Sequence, residues 1–452
     1  MAQDARKIAL SLLNKLDKGG VTVDRLLDQI DDRHPSIPRR DRSLLNNLVY
    51  GVLRWRGRLD WIIASFSKTP LEKIDSRVIN LLRLGVFQIV FLDRVPDSAA
   101  VNTTVQMSKA FAPSWVVGYI NGLLRRISRE HHNVFFPLTD EDPLRALTAQ
   151  KSFPEWLIRR WLDRFGLERT ESLCDAINTI PPITLRTNTL RVTREKLRGS
   201  LVADVDTMQL TDHSPDGIRC TTPRISLGEM SAFKAGWFHV QDEAAQLVSI
   251  LLDPQPGDTV LDACAGRGGK TGHIAQIMGD RGRIVAMDND RGRLSQLTEE
   301  MNRLGVSIVE TACNDLTDPH LPAATAGFDR ILLDAPCSGL GVLRRNPDTK
   351  WSVGEADLMR LSDHQRSLLH NLAPFVKPSG ILNYTVCSME PEETDDVVDR
   401  FLSKERRFSV DKPLPGSTSN IAGLIDPDGF LRTAPDLHDM AGFFSVNFRR
   451  MS

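Results

Sequence analysis

Apolar side chains recur at helical spacing over the first 130 residues. Ile8, Leu12 and Leu16 share one face. Leu44, Leu45, Leu48, Val52 and Leu53 repeat the pattern, and so do Val78, Leu81, Leu82, Val86, Ile89 and Val90. Stripes of this width bury against one another, so residues 1–135 are predicted to form an all-α domain. Pro35 and Pro38 make "HPSIPRRD" (34–41) a helix break within it. After the linker-like "EHHNVFFPLTDEDP" (130–143), residues 144–240 mix a helix, "FPEWLIRRWLDRFG", with strand-like "PITLRTNT" and "GIRCTT", a small α+β module. "WFHVQDEAAQLVSILL" leads through a helix into residues 241–450. There five short apolar runs, "TVLDAC", "RIVAMD", "SIVETACND", "RILLDAP" and "ILNYTVCS", alternate with helical stretches, and each carries Asp or Cys at or near its end. That alternation predicts a parallel, doubly wound α/β sheet. Ligands bind beyond the carboxyl ends of such strands, so the residues there are the ones to examine.

Composition changes this picture little. Of 452 residues, 41% are hydrophobic and 25% charged, as in an ordinary globular protein of several domains. No apolar run is long enough to span a membrane, and "MAQDARKIALSLL" lacks the apolar core of a secretory signal, so a cytoplasmic location is expected. Charge adds more. Residues 1–130 hold 21 Lys and Arg against 13 Asp and Glu, a net +8, which leaves −9 for the rest of a chain whose total is −1. A basic helical third suggests a polyanionic partner, although a solvated helical surface accounts for it equally. The six cysteines (Cys174, Cys220, Cys264, Cys313, Cys337 and Cys387) form no C-x-x-C pair, which argues against a disulfide framework or a zinc site.

The chemistry collects at the predicted strand ends. "LDACAGRGGKTGHIA" (261–275) places Gly266, Gly268 and Gly269 in a turn that runs directly into a helix, where backbone can approach a ligand closely. Asp288 closes the second strand, 26 residues after Asp262, and suits two ribose hydroxyls; Asp315 follows the third and suits an adenine amino group. Tight turns and helix caps would also use these residue types, and a nicotinamide cofactor stays open, although the turn is not G-x-G-x-x-G. The fourth strand brings Asp334 and Cys337 to the same edge, and the fifth brings Cys387. Either cysteine alone reads as a buried structural thiol, but both together with an acid favour nucleophilic chemistry. Arg344, Arg345 and Lys350 follow closely and suit a grip on phosphates, if they are not simply a solvated loop.

These motifs carry a resemblance. "LDAPCSGLG", "RRNPDTKW" and "YTVCSMEPEE", in this order, are similar to signatures of the bacterial ribosomal RNA small subunit methyltransferase B family, RNA 5-methylcytosine methyltransferases that use S-adenosylmethionine. "GVLRWRGRLDWII", "LLRLGVFQIVFLDRVPDSAAVN" and "YINGLLRR" resemble the RNA-binding helical domain of the antitermination factor NusB. The resemblance implies a NusB-like domain, a middle module and a Rossmann-like class I methyltransferase domain, with one cytosine of 16S ribosomal RNA, naked or partly assembled, as substrate. It implies no membrane and no metal, and a monomer is expected. S-adenosylmethionine would lie along Cys264, Ala265, Gly266, Arg267, Gly268, Gly269 and Lys270, and at Asp288, Asp315 and Asp334. Cys387 would attack cytosine C6, Asp334 would hold the base through N3 and N4, and Cys337 would serve the release step. Exchanged roles for the two thiols remain open, because DNA cytosine methyltransferases use the Pro-Cys cysteine. The chain departs from the family where Gly266-Arg267 stands in place of the usual Ala-Pro, and where "MAGFF" (440–444) lacks an acid before Gly-Phe-Phe. An RNA-binding scaffold with an impaired methyltransferase fold is therefore an alternative, and a methyltransferase of protein or DNA is a third.

Overall fold

The computed structural model describes residues 5–33, 37–318, 327–412 and 420–451. The chain divides into two compact units, Met1–Thr179 with Arg345–Gly354, and Ile180–Arg344 with Glu355–Ser452.

The first unit is all helix: α1 (Ala5–Leu16), α2 (Val23–Arg33), α3 (Arg39–Phe66), α4 (Ser76–Phe91), α5 (Asp97–Ser108), α6 (Ser114–Glu130), α7 (Pro143–Lys151) and α8 (Glu155–Asn178). The periodic stripes form its core, with α4 buried from Val78 to Ile89. Asp75 caps α4 by accepting the Arg77 N–H. Arg83, buried on the same helix, forks onto Asp60 with two 2.7 Å bonds, which satisfies a charge that burial would otherwise penalise. Pro38 stands immediately before α3, as the helix break predicts, whereas His34–Ser36 of that break lie outside the described residues.

Helices α7 and α8, which the sequence pattern grouped with the α+β module, pack in this helical unit. The reason is local. Ser152 ends α7 in the left-handed conformation, and its hydroxyl accepts the Gly57 N–H at 2.8 Å, an approach that a side chain at residue 57 would crowd. Gly166, at φ 76°, divides α8 into two helical stretches.

Residues 345–354 also belong to this unit, and here the phosphate-gripping role expected for Lys350 is corrected. Its side chain is buried, with the ammonium 3.6 Å from the Phe153 ring centre. It donates to Asn178 Oδ1 at 2.7 Å and to the Arg54 and Ser152 carbonyls at 3.3 Å. Burial drives its pKa well below the ordinary lysine value. Trp351 donates to the Leu53 carbonyl at 2.6 Å, and Asp348 accepts the Val23 N–H at 3.1 Å. The segment is a structural plug of the helical unit.

The second unit holds two sheets. The smaller contains β1 (Ile183–Thr187), β2 (Val205–Leu210), β3 (Gly217–Pro223) and β4 (Phe238–Val240), antiparallel in the order β2-β3-β1-β4. The larger contains β5 (Thr259–Asp262), β6 (Arg283–Asp288), β7 (Val309–Cys313), β8 (Phe328–Asp334), β9 (Val376–Val386), β10 (Phe408–Val410), β11 (Leu431–Arg432) and β12 (Phe444–Arg450). Its order is β10-β12-β9-β8-β5-β6-β7, with β11 beside β12. The five predicted strands are parallel, while β10, β11 and β12 add an antiparallel edge. The strand order reverses between β5 and β8, so a crevice opens beyond their carboxyl ends.

The smaller sheet is tied to the larger through side chains. Asn188 and Arg191, just past β1, donate to the Leu304 carbonyl at 2.8 and 3.1 Å. His239 on β4 donates from Nδ1 to Glu300 at 2.6 Å, and Arg303 grips the same carboxylate. Burial, reinforced by Arg186 and Arg303, holds His239 below its ordinary value despite Glu300, so the ring is a neutral donor and Arg303 supplies the charge.

Two outcomes follow from these buried charges. Lys350→Met keeps the volume but removes the ammonium that Asn178 Oδ1 and the Arg54 and Ser152 carbonyls accept from, and should lower the unfolding free energy by ~2–3 kcal/mol, read as the denaturant midpoint of the full chain. An unchanged midpoint would refute the plug. Burial opposes ionisation of Glu300, but His239 and Arg303 outweigh it and bring its pKa from 4.5 down to about 2. A carboxyl held low contributes stability above its unfolded value and loses it as pH falls through the folded one. Unfolding free energy should therefore fall between pH 4.5 and about 2 by ~2 kcal/mol more in the native chain than in Glu300→Gln; equal slopes would refute the linkage.

Candidate active site

The Gly-rich turn joins β5 to the helix Gly269–Ile277. Gly266 and Gly268 have φ of 55° and 85°. A Cβ on Gly268 would meet Leu297 at 2.7 Å, whereas around Gly266 no atom lies within 4 Å of such a position, so space is open above the turn. Where the resemblance expects Pro, the exposed Arg267 lifts the restriction that a following proline places on residue 266, and Gly266 takes the left-handed region. Asp288, buried at the end of β6, accepts the Gly266 N–H at 3.0 Å through one oxygen and the Asp290 N–H at 2.9 Å through the other. Ala265 is buried, and its N–H reaches the Met287 carbonyl. Cys264 is half-buried, and burial, with Asp334, Asp262 and Asp288 nearby, keeps its thiol protonated.

Asp262, at the end of β5, is fully buried. One oxygen accepts the Thr271 hydroxyl at 2.7 Å, and the other has no partner among the described residues. Burial pushes its pKa up to about 7 against that hydrogen bond, and Asp334 and Asp288 add to the rise. Two cations stand among these acids, Arg293 at 3.8 Å from Asp288 and the more buried Lys270. Lys270 Nζ lies 2.5 Å from Asp334 Oδ2, with 11% of the lysine side chain exposed. Burial alone would lower its pKa, but Asp334, then Cys387 and Asp262, hold the ammonium above its ordinary value.

The two cysteines meet where β8 and β9 end. Their sulfurs are 3.2 Å apart. The hydrogen bond to Cys387, burial and the nearby Glu393 raise the Cys337 thiol well above its ordinary value. The Cys387 carbonyl accepts the Gly341 N–H at 2.9 Å, and the Gly341 carbonyl accepts the Gly442 N–H at 2.8 Å. A Cβ on Gly341 would overlap the Gly442 carbonyl, so only glycine allows this approach. Glu393, fully buried, accepts the Ser338 N–H at 2.8 Å, the Ser338 hydroxyl at 2.5 Å and Gln365 at 3.0 Å. It fixes the loop that carries Cys337. The acidic end of "YTVCSMEPEE" reads in sequence as a helix start, but Pro391–Glu393 is a short 3₁₀ turn, and the helix begins at Asp395.

The structure thus gathers residues 264–270, Asp288, Asp334, Cys337 and Cys387 at one sheet edge. Asp315 lies exposed past β7 with its carboxylate turned onto Thr317, at 2.9 Å from the N–H and 2.8 Å from the hydroxyl. Arg344 is a second correction to the expected phosphate grip, because its guanidinium is paired with Asp439 at 2.6 Å and its side chain is 12% exposed. Arg345 is half-buried and belongs with the helical unit. That unit offers other cations. A groove of about 400 Å³ is lined by Lys7, Lys15 and Lys18 with Ser11 and Asn14. Among the described residues no cluster suits a metal ion, and no helix is long and apolar enough to cross a membrane.

Five parallel strands with an antiparallel edge, a Gly turn after the first strand and acids at the next strand ends define a Rossmann-like α/β fold open at the carboxyl ends of its strands. Comparison with known proteins carries this further. Residues 249–449 match the 16S rRNA methyltransferase RsmB/F family, residues 3–129 the NusB family, and residues 153–225 the ferredoxin-like domain of RsmF/B-like methyltransferases. The chain is 34% identical over 446 residues to a probable ribosomal RNA small subunit methyltransferase B of Bacillus subtilis, covering 98% of each. It is 35% identical to a protein of the same description from Synechocystis sp., covering 99% of each. Among solved structures, the crystal structure of PH0851 superposes with a TM-score of 0.81 at 27% identity, covering 100% of both chains. The chain belongs to the 16S rRNA methyltransferase RsmB/F family.

Glu393→Ala should leave Ser338 and Gln365 donors unpaired in the interior and cost about 3 kcal/mol in unfolding free energy. A loss under ~0.5 kcal/mol, the scale of an ordinary surface substitution, would show that the carboxylate does not hold the Cys337 loop.

Proposed function

We propose that this protein transfers a methyl group from S-adenosylmethionine to C5 of a cytosine in 16S ribosomal RNA through a covalent cysteine adduct. One observation carries the reading: two thiols in contact at neighbouring strand ends, one facing a lysine and the other a buried carboxylate. Family membership supports ribosomal RNA as the substrate class.

The cradle fits the methyl donor. The open space at Gly266 lies beside the Asp288 carboxylate, which accepts the Gly266 N–H and suits ribose hydroxyls of that molecule. Residues 264–270, Asp288, Asp315 and Asp334 would hold it. When bound, S-adenosylmethionine supplies an electrophilic methyl on a sulfonium.

Cytosine C5 is too weak a nucleophile to take that methyl unaided. Attack by the Cys387 thiolate forms an S–C6 bond and moves electron density through C4 to N3, which takes a proton from solvent and gives it back when the ring is restored. Asp334, bound to Lys270 through Oδ2, has Oδ1 to hold N4 and the protonated N3 edge. C5, now enamine-like, accepts the methyl. Loss of the C5 proton then lets the S–C6 bond break and returns the Cys387 thiolate. Cys337 serves this release by orienting a water that acts as the base.

The division of labour follows from electrostatics. Lys270, whose ammonium Cys387 helps to hold above its ordinary value, lies within electrostatic reach of that sulfur. Glu393 and burial favour a protonated Cys337. A protonated thiol is a poor nucleophile, so the attacking sulfur is assigned to Cys387. The basic groove of Lys7, Lys15 and Lys18 supplies charge for RNA phosphates in place of Lys350.

Incubation with labelled S-adenosylmethionine and unmodified 16S ribosomal RNA, followed by digestion to nucleosides, should yield labelled 5-methylcytidine. Cys387→Ala should abolish both label and covalent RNA capture, a loss of at least ~10³-fold, as for removal of an essential nucleophile. Cys337→Ala should accumulate the covalent adduct. Adducts that survive in Cys387→Ala would exchange the two roles, and RNA binding without label in the native chain would point to a scaffold.

A further inference from the structure

The strand "PITLRTNT" has no part in the chemistry above, yet it carries Arg186, a residue that β1 places beneath the Gly-rich turn. Arg186 is 1% exposed. Its Nη1 donates to the Gly269 carbonyl at 2.6 Å and to Gln241 Oε1. Its Nε has no partner among the described residues. Gln241 and His239, both brought in by β4 and the residue that follows it, flank Gly269 so closely that a Cβ there would stand 3.5 Å from His239 Nε2 and 3.8 Å from Gln241 Nε2.

Position gives this contact its meaning. The Gly269 carbonyl belongs to the same planar peptide as the Lys270 nitrogen. A guanidinium that grips that oxygen fixes the plane from which the Lys270 side chain departs toward Asp334. The same peptide closes the turn over which the open space lies. Packing alone does not explain an arginine here. Burying a guanidinium costs several kcal/mol, and an apolar residue of similar volume fills such a site without that cost. Burial lowers the Arg186 pKa to about 9, with Asp216 and Glu300 opposing, so the group still carries its charge at neutral pH.

We propose that Arg186 is a positioning residue for the methyl-donor site, and that the ferredoxin-like module thereby takes part in cofactor binding through the Gly269–Lys270 peptide. The proposal rests on the reading of this turn as the S-adenosylmethionine cradle.

The test uses the full chain and calorimetric titration with S-adenosylmethionine, alongside amide hydrogen exchange over residues 265–272 without ligand. Arg186→Met should weaken binding ~10–100-fold and speed exchange of the turn, and Arg186→Lys should restore part of the affinity. In turnover, the KM for S-adenosylmethionine should rise more than kcat falls. Asn188→Ala removes another tie between the same sheets, at Leu304, and should lower thermal stability while leaving affinity within about twofold. Should Arg186→Met fail to fold, Gln241→Leu, which frees the guanidinium from its second acceptor, should weaken binding in the same direction. Wild-type affinity in a folded Arg186→Met or Gln241→Leu variant overturns the proposal and spares the cofactor reading. Equal weakening by Asn188→Ala overturns it as well, because general loosening would then suffice. Absence of binding in the native chain overturns the cofactor reading, and the proposal with it.

Discussion

The ion pair between Lys270 and Asp334 is the contact on which the site depends. It joins the first turn of the helix after β5 to the end of β8, across the point where the strand order reverses. Asp262, Asp288 and Asp334 end three neighbouring strands, and without a cation their carboxylates would repel one another in a poorly solvated crevice. Lys270 provides the buried cation at Asp334, and Arg293 a more exposed one at Asp288. The elevated pKa of Asp262 shows how finely the balance is set, since one of the acids already approaches neutrality near pH 7. The pair also reaches beyond the acids. Cys387 acts on the same ammonium, so one lysine links the strand-end carboxylates electrostatically to the sulfur at the end of β9.

That arrangement breaks a symmetry that the sequence leaves intact. Cys337 and Cys387 both follow apolar strands, both precede serine, and both carry a plausible claim to be the nucleophile. In three dimensions their surroundings differ. Glu393, tied down by Ser338 and Gln365, sits on the Cys337 side, and Lys270 acts on Cys387. The sulfurs touch. Residues far apart in the chain thus give two chemically identical groups different surroundings.

Much of the architecture was legible because it is local. The 3.6-residue stripes of α1, α3 and α4 and the five runs that became β5 to β9 are written in consecutive residues, and each strand-end acid or cysteine could be placed by counting. The antiparallel edge was harder, because β10 and β11 span three and two residues and take their stability from β12. At the site, the Gly turn, Asp288, Asp334 and the two cysteines were readable by residue type. Glu393, Gly341 and Arg186 were not, because each acts through a partner 55 to 101 positions away, on Ser338, Gly442 and Gly269. Arg344 and Lys350 misled for the converse reason. Basic residues beside a catalytic loop look like phosphate ligands until Asp439 and the Phe153–Asn178 pocket are seen to hold them.

The ferredoxin-like module is the part whose sequence said least, and its contacts explain why. Its small sheet buries an ordinary apolar cluster, which makes it look self-contained. Arg186, Asn188, Arg191 and His239 instead spend their polar atoms on the methyltransferase domain, three of them on main-chain carbonyls, whose positions no sequence pattern reveals. Hydrophobic burial between the two parts would hold them together without fixing register, because apolar contact is tolerant of small slides. Directed bonds to the Gly269 and Leu304 carbonyls are not tolerant, since a displacement of about an ångström leaves a buried charge or amide unpaired at a cost of ~1–3 kcal/mol. The module therefore has a defined seat against the Gly-rich turn, and its influence is expected on geometry more than on bulk stability.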